Sequence, residues 1–301
     1  MKIIEVRNLR KQYPNHLAVE DVSFEVAEGE IFGILGPNGA GKTTTVECVA
    51  GLRRRDGGTV RVAGLDPLRD RDELRRVLGM QLQSAALPEQ IRVWEAMDLY
   101  ASFYPDPADW AELLERVGLA GKRDAAFKQL SGGQRQRLSV ALALVGRPRV
   151  AVLDELTTGL DPQARRDTWE LVEKVRESGV TIVLVTHFME EAERLCDRLA
   201  LIDAGKVVAT DTPAGFIAQA GGEQRVRFRP TAPVADSVLL ALPEVRTVTR
   251  SGDHIEVTGS GNLAPAVTLA LADHQVVPAD LRIEQATLDD AFVALTGRKL
   301  S

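Results

Sequence analysis

Two segments of this sequence, about ninety residues apart, carry residue types that handle phosphate groups. The first, residues 36–43, reads Gly-Pro-Asn-Gly-Ala-Gly-Lys-Thr and fits the phosphate-binding pattern G-x-x-x-x-G-K-[ST]. Its glycines let the backbone turn tightly and point N–H groups at phosphate oxygens. The lysine can reach the β- and γ-phosphates, and the threonine hydroxyl can bind Mg²⁺. The second segment, residues 130–137, reads Leu-Ser-Gly-Gly-Gln-Arg-Gln-Arg and supplies further phosphate donors.

Two adjacent carboxylates follow a short apolar run that lies after the second segment. The run Val-Ala-Val-Leu at residues 150–153 is followed by Asp154 and Glu155. A buried strand of this kind delivers the next residues to the carboxyl edge of a sheet, beside a nucleotide. Asp154 suits coordination of Mg²⁺, and Glu155 suits polarising an attacking water. The alternative is an ordinary Asp-Glu pair that begins a turn, but the phosphate-binding loop favours the catalytic interpretation.

Five motifs in one order resemble those of a known family. They are the loop at 36–43, Leu-Ser-Gly-Gly-Gln at 130–134, Leu-Asp-Glu at 153–155, Gly-Leu-Asp at 159–161 and Thr-His at 186–187. Their spacing is similar to that of the ATPase subunits of ATP-binding-cassette (ABC) transporters, over about residues 1–220. The resemblance implies ATP and Mg²⁺ as cofactors.

The resemblance also implies roles for residues that lie outside the phosphate-binding loop. ABC ATPases act as head-to-tail homodimers, so Ser131 and Gly133 are expected to bind the γ-phosphate held by Lys42 of the other subunit. His187 is expected to contact the γ-phosphate and order the attacking water. Asp161 is expected to act across the dimer interface. With Glu155 and Gln83, Lys42 and His187 make up the expected catalytic set.

The base and the metal ion also have expected partners. Tyr13 matches the aromatic residue that stacks on adenine, and stacking needs only a flat π face, so we expect weak selection between ATP and GTP. Gln83 is expected to approach Mg²⁺ and the attacking water. Gln81 is the alternative, because Met80 and Leu82 replace the Tyr and Pro usual in the family. The expected metal ligands are Thr43, Gln83 and Asp154. The expected nucleotide contacts in the loop are Gly36, Pro37, Asn38, Gly39, Ala40, Gly41, Lys42, Thr43 and Thr44.

The elements that must position these residues alternate between strands and helices. Residues 30–35 form an apolar run that suits a buried parallel strand feeding the phosphate-binding loop, and residues 42–49 suit a helix. Strands at 3–6 and 22–26 alternate apolar and polar residues. We therefore predict an α/β fold, a P-loop NTPase with a mainly parallel sheet, an N-terminal antiparallel β-subdomain and an inserted helical subdomain at about 84–135. This ATPase domain is expected to span residues 1–220.

A second, small α+β domain is predicted after Gly221-Gly222, over residues 223–301. Its expected order is β-α-β-β-α-β, a ferredoxin-like unit, followed by a helix at 288–296. The chain end, from Thr287 to Arg298, is similar to the tail of daunorubicin-resistance-type ATPases, which pair with separate membrane subunits in ABC-2 exporters. We expect this domain to regulate activity or stabilise the dimer.

The bulk composition bounds the function further. The chain has 301 residues, 45% of them hydrophobic, and a formal net charge of −6, which argues against a nucleic-acid partner. Cys48 and Cys196 are isolated thiols and are expected to be small buried apolar groups. No signal peptide or membrane-spanning run is visible.

These observations predict the ATP-hydrolysing subunit of an ABC exporter. Its expected partners are an ABC-2-type permease and a second copy of the chain, and its expected location is cytoplasmic, peripheral on the inner face of the membrane. The alternative is a soluble ABC ATPase that acts on ribosomes or nucleic acid. A single cassette, the absence of a sustained heptad run and the acidic charge disfavour that alternative.

Overall fold

The chain forms two compact units in the computed structural model. The model describes residues 1–81, 87–219, 224–284 and 286–297. Contacts divide the chain between Pro213 and Ala214. The predicted boundary at Gly221-Gly222 lies outside the described residues.

Nine described strands of the first unit form one sheet. In chain order they are β1 (Lys2–Tyr13), β2 (His16–Ala27), β3 (Ile31–Leu35), β4 (Gly57–Val62), β5 (Leu78–Gln81), β6 (Val150–Asp154), β7 (Thr181–Thr186), β8 (Arg198–Asp203) and β9 (Lys206–Asp211). Their order across the sheet is β4-β1-β2-β9-β8-β3-β7-β6-β5. The neighbours from β8 to β5 pair in parallel, whereas β4, β1 and β2 pair antiparallel. The predicted parallel core with an antiparallel N-terminal part is confirmed.

The central strands are short and fully buried, whereas the first two are long and contain both buried and exposed residues. Every residue of β3, β6 and β7 is buried, as expected of parallel strands covered on both faces. Strands β1 and β2 are each 12 residues long, well beyond the predicted 3–6 and 22–26. Irregular register lets their pairing continue through polar stretches. One such point is Asn8, whose φ of 48° marks a left-handed residue.

Helices cover the sheet of the first unit and form the inserted region. In chain order they are α1 (Lys42–Val49), α2 (Arg71–Val77), α3 (Val93–Ala101), α4 (Trp110–Arg116), α5 (Gly132–Leu144), α6 (Pro162–Glu177) and α7 (Met189–Leu195). Helices α3, α4 and α5 contact one another, and α5 also packs against β5 and β6. The apolar residues that the sequence pattern placed inside this region, such as Met97, Leu113 and Leu114, are buried.

The second unit is a small antiparallel sheet with helices. After α8 (Pro213–Gln219) it contains β10 (Gln224–Pro230), α9 (Asp236–Leu240), β11 (Val245–Ser251), β12 (His254–Gly259), α10 (Leu263–Asp273), β13 (Pro278–Glu284) and α11 (Leu288–Thr296). The strand order is β11-β12-β10-β13, and all neighbours are antiparallel. Helix α9 ends at Leu240, and Pro243 disfavours a helical conformation at Leu242 just beyond it.

Among the described residues, no helix combines the length and the apolar character needed to cross a membrane.

Candidate functional site

The chemistry-bearing segments meet at one edge of the large sheet. Strands β3, β7 and β6 are neighbours and parallel, so their carboxyl ends lie at the same edge. Leu35 at the end of β3 is paired with Thr186 of β7, and Val185 of β7 is paired with Asp154 of β6. The phosphate-binding loop, Glu155 and His187 follow directly from these ends. Sheet topology therefore brings together residues that are about 150 positions apart.

The phosphate-binding loop depends on glycine at points of close backbone approach. Gly36, Gly39 and Gly41 have φ values of 157°, 78° and 98°. A Cβ added at Gly36 would collide with the carbonyl oxygen of Ile202, and one added at Gly41 would collide with that of Ala18. The loop leads into α1, whose first N–H groups have no intrahelical acceptor and carry the positive end of the helix dipole.

Lys42 is held across the inside of this loop. Its side chain is buried, and Nζ donates to the carbonyl oxygens of Gly36 at 2.8 Å and Pro37 at 3.0 Å. Burial lowers the pKa of Lys42, and the charges of Glu155 and Asp154 oppose that fall. The ammonium group is therefore held by the loop and interacts with the charges of both carboxylates, where a terminal phosphate would need a cation.

Asp154 has the features of a ligand for a hard cation. It is fully buried, and neither carboxylate oxygen has a hydrogen-bond partner among the described residues. Burial raises the pKa of Asp154 to about 6, and the neighbouring charge of Glu155 adds to this rise. The Thr43 hydroxyl and the Lys42 ammonium oppose it. Behind the site, Gln81 Oε1 accepts a hydrogen bond of 3.0 Å from the Asp154 backbone N–H.

The donor set fits magnesium better than a metal that needs a protein cage. Among the described residues there is no group of three or more His, Cys, Asp and Glu side chains placed to hold a metal. Mg²⁺ commonly uses one or two carboxylates and completes its octahedron with phosphate oxygens and water. An unpartnered buried carboxylate beside the Thr43 hydroxyl matches that requirement.

Glu155 and His187 face each other next to the lysine. The distance from His187 Nδ1 to Glu155 Oε1 is 3.4 Å, and their side chains are 25% and 11% exposed. Glu155 has a left-handed φ of 50°, and its N–H donates to the Val185 carbonyl at 2.9 Å. The next residue, Leu156, is buried. A carboxylate and an imidazole placed in this way can share the activation of one water.

A pocket of about 300 Å³ opens beside Lys42 and Glu155, and Asp154 and His187 do not line it. It is lined by Tyr13, His16, Ala18, Asn38, Gly39, Gly41, Lys42, Thr43, Thr44 and Glu155. Sequence reasoning did not find His16 and Ala18. The available signal was the hairpin: Tyr13 ends β1, and His16 begins β2 directly opposite it across the two-residue turn Pro14-Asn15.

Ser131, Gly133 and Asp161 do not line this pocket, and each has a clear local role. The Ser131 hydroxyl caps α5 by accepting from the Gln134 N–H at 3.3 Å. Gly133 packs closely on α6, since a Cβ there would lie 3.1 Å from the Ala164 Cβ. The Asp161 carboxylate caps α6 by accepting from two backbone N–H groups, and these bonds hold its pKa below the usual value. Gln83 lies outside the described residues.

Comparison with known proteins gives a consistent family. The sequence model described as "ABC transporter" matches residues 19–158. The Nod factor export ATP-binding protein I of Ralstonia nicotianae is 38% identical over 305 residues, which cover 99% of this chain and 95% of that protein. The daunorubicin resistance ATP-binding protein DrrA2 of Streptomyces coeruleorubidus is 34% identical over 308 residues, with 98% and 95% covered.

A solved structure agrees with the fold of the first unit. It is a dimeric structure of a post-hydrolysis state of the ATP-binding cassette MJ0796, bound to ADP and Pi. The two chains are 25% identical with a TM-score of 0.62, and the match covers 69% of this chain and 98% of that one.

Proposed function

The chain belongs to the ABC transporter family, and we propose that it is the ATP-binding and ATP-hydrolysing subunit of an exporter. The observation that carries this proposal is the convergence of three strand ends at the phosphate-binding loop. They bring a buried ammonium, an unpartnered buried carboxylate and a carboxylate–imidazole pair to the phosphate-binding loop. Phosphoryl transfer to water needs these groups for charge neutralisation and for water activation.

The residues of the pocket divide the work of binding. Tyr13 stacks on the base, and the residues of the loop from Gly36 to Thr44 surround the phosphates with backbone N–H groups. Lys42 supplies a cation to the β- and γ-phosphates. Thr43 and Asp154, with Gln83, would hold Mg²⁺, which when bound neutralises charge on the phosphate oxygens.

Glu155 and His187 act on the attacking water. Glu155 accepts its proton, and His187 contacts the γ-phosphate and orients the water. The 3.4 Å separation of Nδ1 and Oε1 lets both groups contact one water molecule.

We infer that the working unit is a homodimer in which each nucleotide lies between two chains. Ser131, Gly133 and Asp161 do not line the pocket that contains Lys42, and in the proposal they complete the site of the partner. The Ser131 hydroxyl accepts one hydrogen bond within its own helix and keeps its donor for a phosphate oxygen. The start of α5 adds N–H groups that favour an anion. The matched cassette MJ0796 is itself a dimer.

Export is proposed from the relatives. The two curated relatives are named as export and drug-resistance ATP-binding proteins. By analogy, this chain docks on a separate ABC-2-type permease at the inner face of the cell membrane, and residues 223–301 form an accessory domain that regulates activity or stabilises the dimer. The same names favour an exporter over the soluble alternative that acts on ribosomes or nucleic acid.

The test of the proposed function is ATP hydrolysis by the purified chain and by Glu155→Gln. We expect Mg²⁺-dependent release of phosphate by the wild type. Loss of the general base should reduce kcat by about a hundredfold or more. Glu177→Gln, an exposed carboxylate near the end of α6, is the matched control and should hydrolyse ATP like the wild type. Full activity of Glu155→Gln would contradict the proposed mechanism.

A further inference from the structure

One buried carboxylate has no part in the mechanism described above. Glu191, on α7, is fully buried, and its Oε1 accepts from the Thr157 hydroxyl at 2.9 Å and from the Trp169 indole N–H at 3.2 Å. Its Oε2 is buried with no hydrogen-bond partner among the described residues. Burying a carboxylate costs free energy unless the group is paired or hydrogen-bonded.

The carboxylate and its nearer partner belong to the segments that carry the catalytic pair. Thr157 follows Glu155 by two residues, and Glu191 itself follows His187 by four residues, on α7. Thr157, Thr186 and Trp169 are themselves buried. Burial raises the pKa of Glu191, and the polar hydrogens of Thr186, Thr157 and Trp169 oppose the rise.

A second contact ties the same elements together at the surface of α6. The Arg165 guanidinium lies over the Phe188 ring at 5.0 Å, and that ring lies 4.1 Å from the His187 ring. The Phe188 N–H in turn donates to the Thr186 hydroxyl at 3.0 Å. Two sets of contacts therefore hold the turn that carries His187. The Phe188 ring contacts Arg165 on α6, and Glu191 makes its contacts in the buried interior.

We propose that Glu191 is a positioning residue that sets the distance between Glu155 and His187 by joining their two loops through one carboxylate. The inference rests on the proposed function, because it assigns Glu191 to the same hydrolytic site. Glu191 contacts neither the pocket nor the reacting atoms. Its substitution should therefore lower kcat and leave the affinity for the nucleotide unchanged. A displacement of about 1 Å between catalytic groups can reduce a rate about a hundredfold.

The test is steady-state ATP hydrolysis by Glu191→Ala, Glu191→Gln and Thr157→Val in the full chain. We expect Glu191→Ala to lower kcat about tenfold to a hundredfold, with KM for ATP within about twofold of the wild type. Glu191→Gln keeps the acceptor for Thr157 and Trp169 and should recover most of the lost kcat. The exposed Glu193→Ala on the same helix is the control and should match the wild type.

Thr157→Val removes one hydroxyl at nearly constant volume and carries the test if Glu191→Ala does not fold. It should also lower kcat at unchanged KM. Where both variants fold, the double variant should lose less than the product of the two single losses, because both changes break one contact. Wild-type kcat in Thr157→Val and Glu191→Ala, or an equal loss of nucleotide affinity and kcat, would overturn the inference. A wild-type chain without ATPase activity would instead contradict the proposed function.

Discussion

At the scale of single residues, the site combines groups that are costly to place where they are. Glu155 has a left-handed backbone, which costs a residue other than glycine about 1–2 kcal/mol. Asp154 and Glu191 are carboxylates without exposure to solvent. Such features persist where the surrounding structure fixes them, and here strand ends and helix packing do so. Of the three, Asp154 and Glu155 lie where the proposed chemistry needs charged groups in fixed places.

Tyr13 provides the residue-scale prediction on nucleotide affinity. Its ring is half-buried, lies 5.5 Å from Lys11 Nζ and 5.6 Å from Arg53 Cζ, and lines the pocket. Tyr13→Ala should weaken binding of ATP and of GTP by about tenfold to a hundredfold, as measured by fluorescence titration. Tyr13→Phe keeps the π face and should bind nearly as tightly as the wild type. A loss confined to ATP would show that the residue reads the base by hydrogen bonding.

At the scale of elements, the phosphate-binding loop needs glycine for two different reasons. Gly39 has a left-handed φ with open space around it, whereas Gly41 combines a left-handed φ with close approach to the Ala18 carbonyl. Gly39→Ala should therefore cost about 1–2 kcal/mol of unfolding free energy from strain alone. Gly41→Ala should cost at least about 3 kcal/mol, because backbone must also move. Urea unfolding of both variants measures the difference, and equal losses would contradict it.

An ion pair between Arg55 and Asp66 stabilises the segment that follows α1. Arg55 makes a two-point contact with Asp66, at 3.1 Å and 2.8 Å, and the Asp66 side chain is 6% exposed. The Arg55 guanidinium lowers the pKa of Asp66 to about 2, with help from the Leu68 N–H, while burial opposes the fall. A folded-state pKa below the unfolded one means stability that is present above about pH 4 and lost as the pH falls through about 2.

Asp66→Asn tests this sign. At pH 7 the variant should lose about 1–2 kcal/mol of unfolding free energy relative to the wild type, because the charge-assisted contact with Arg55 is removed. The loss should shrink at pH 3, where the ionised carboxylate already contributes less. Denaturant titrations at the two pH values provide the measurement, and a loss that grows toward acid would contradict the assignment.

The sequence was sufficient for features that are local, and insufficient for those that need distant partners. The loop from Gly36 to Thr43 and the strand ending at Asp154 are recognisable because each motif lies within one continuous segment. The role of Glu191 depends on contacts with residues 34 and 22 positions away, and α7 by itself gives no sign of them. The collision that makes Gly36 necessary comes from Ile202 on β8, which no local pattern reveals.

At the scale of the whole molecule, the proposal has each chain contribute one half to each of two nucleotide sites. Lys42 lies in the pocket, and Ser131 begins α5 and does not line it. Mixing two inactive variants tests this arrangement. Lys42→Ala and Ser131→Arg should each be inactive alone, but equal mixing makes half of the dimers mixed, each with one intact site, so about a quarter of wild-type activity should return. No recovery in mixtures shown to contain mixed dimers would contradict shared sites.

The most direct measurement is the molar mass of Glu155→Gln in solution, by light scattering, with Mg²⁺ and either ATP or ADP. Because hydrolysis is blocked, the account predicts that ATP doubles the mass from one chain to two, whereas ADP leaves it unchanged. Adding Ser131→Arg to the same chain should keep ATP binding and abolish the doubling. A Glu155→Gln chain that stays monomeric with bound ATP, or a Ser131→Arg double variant that dimerises equally well, would contradict the claim that two chains complete each site.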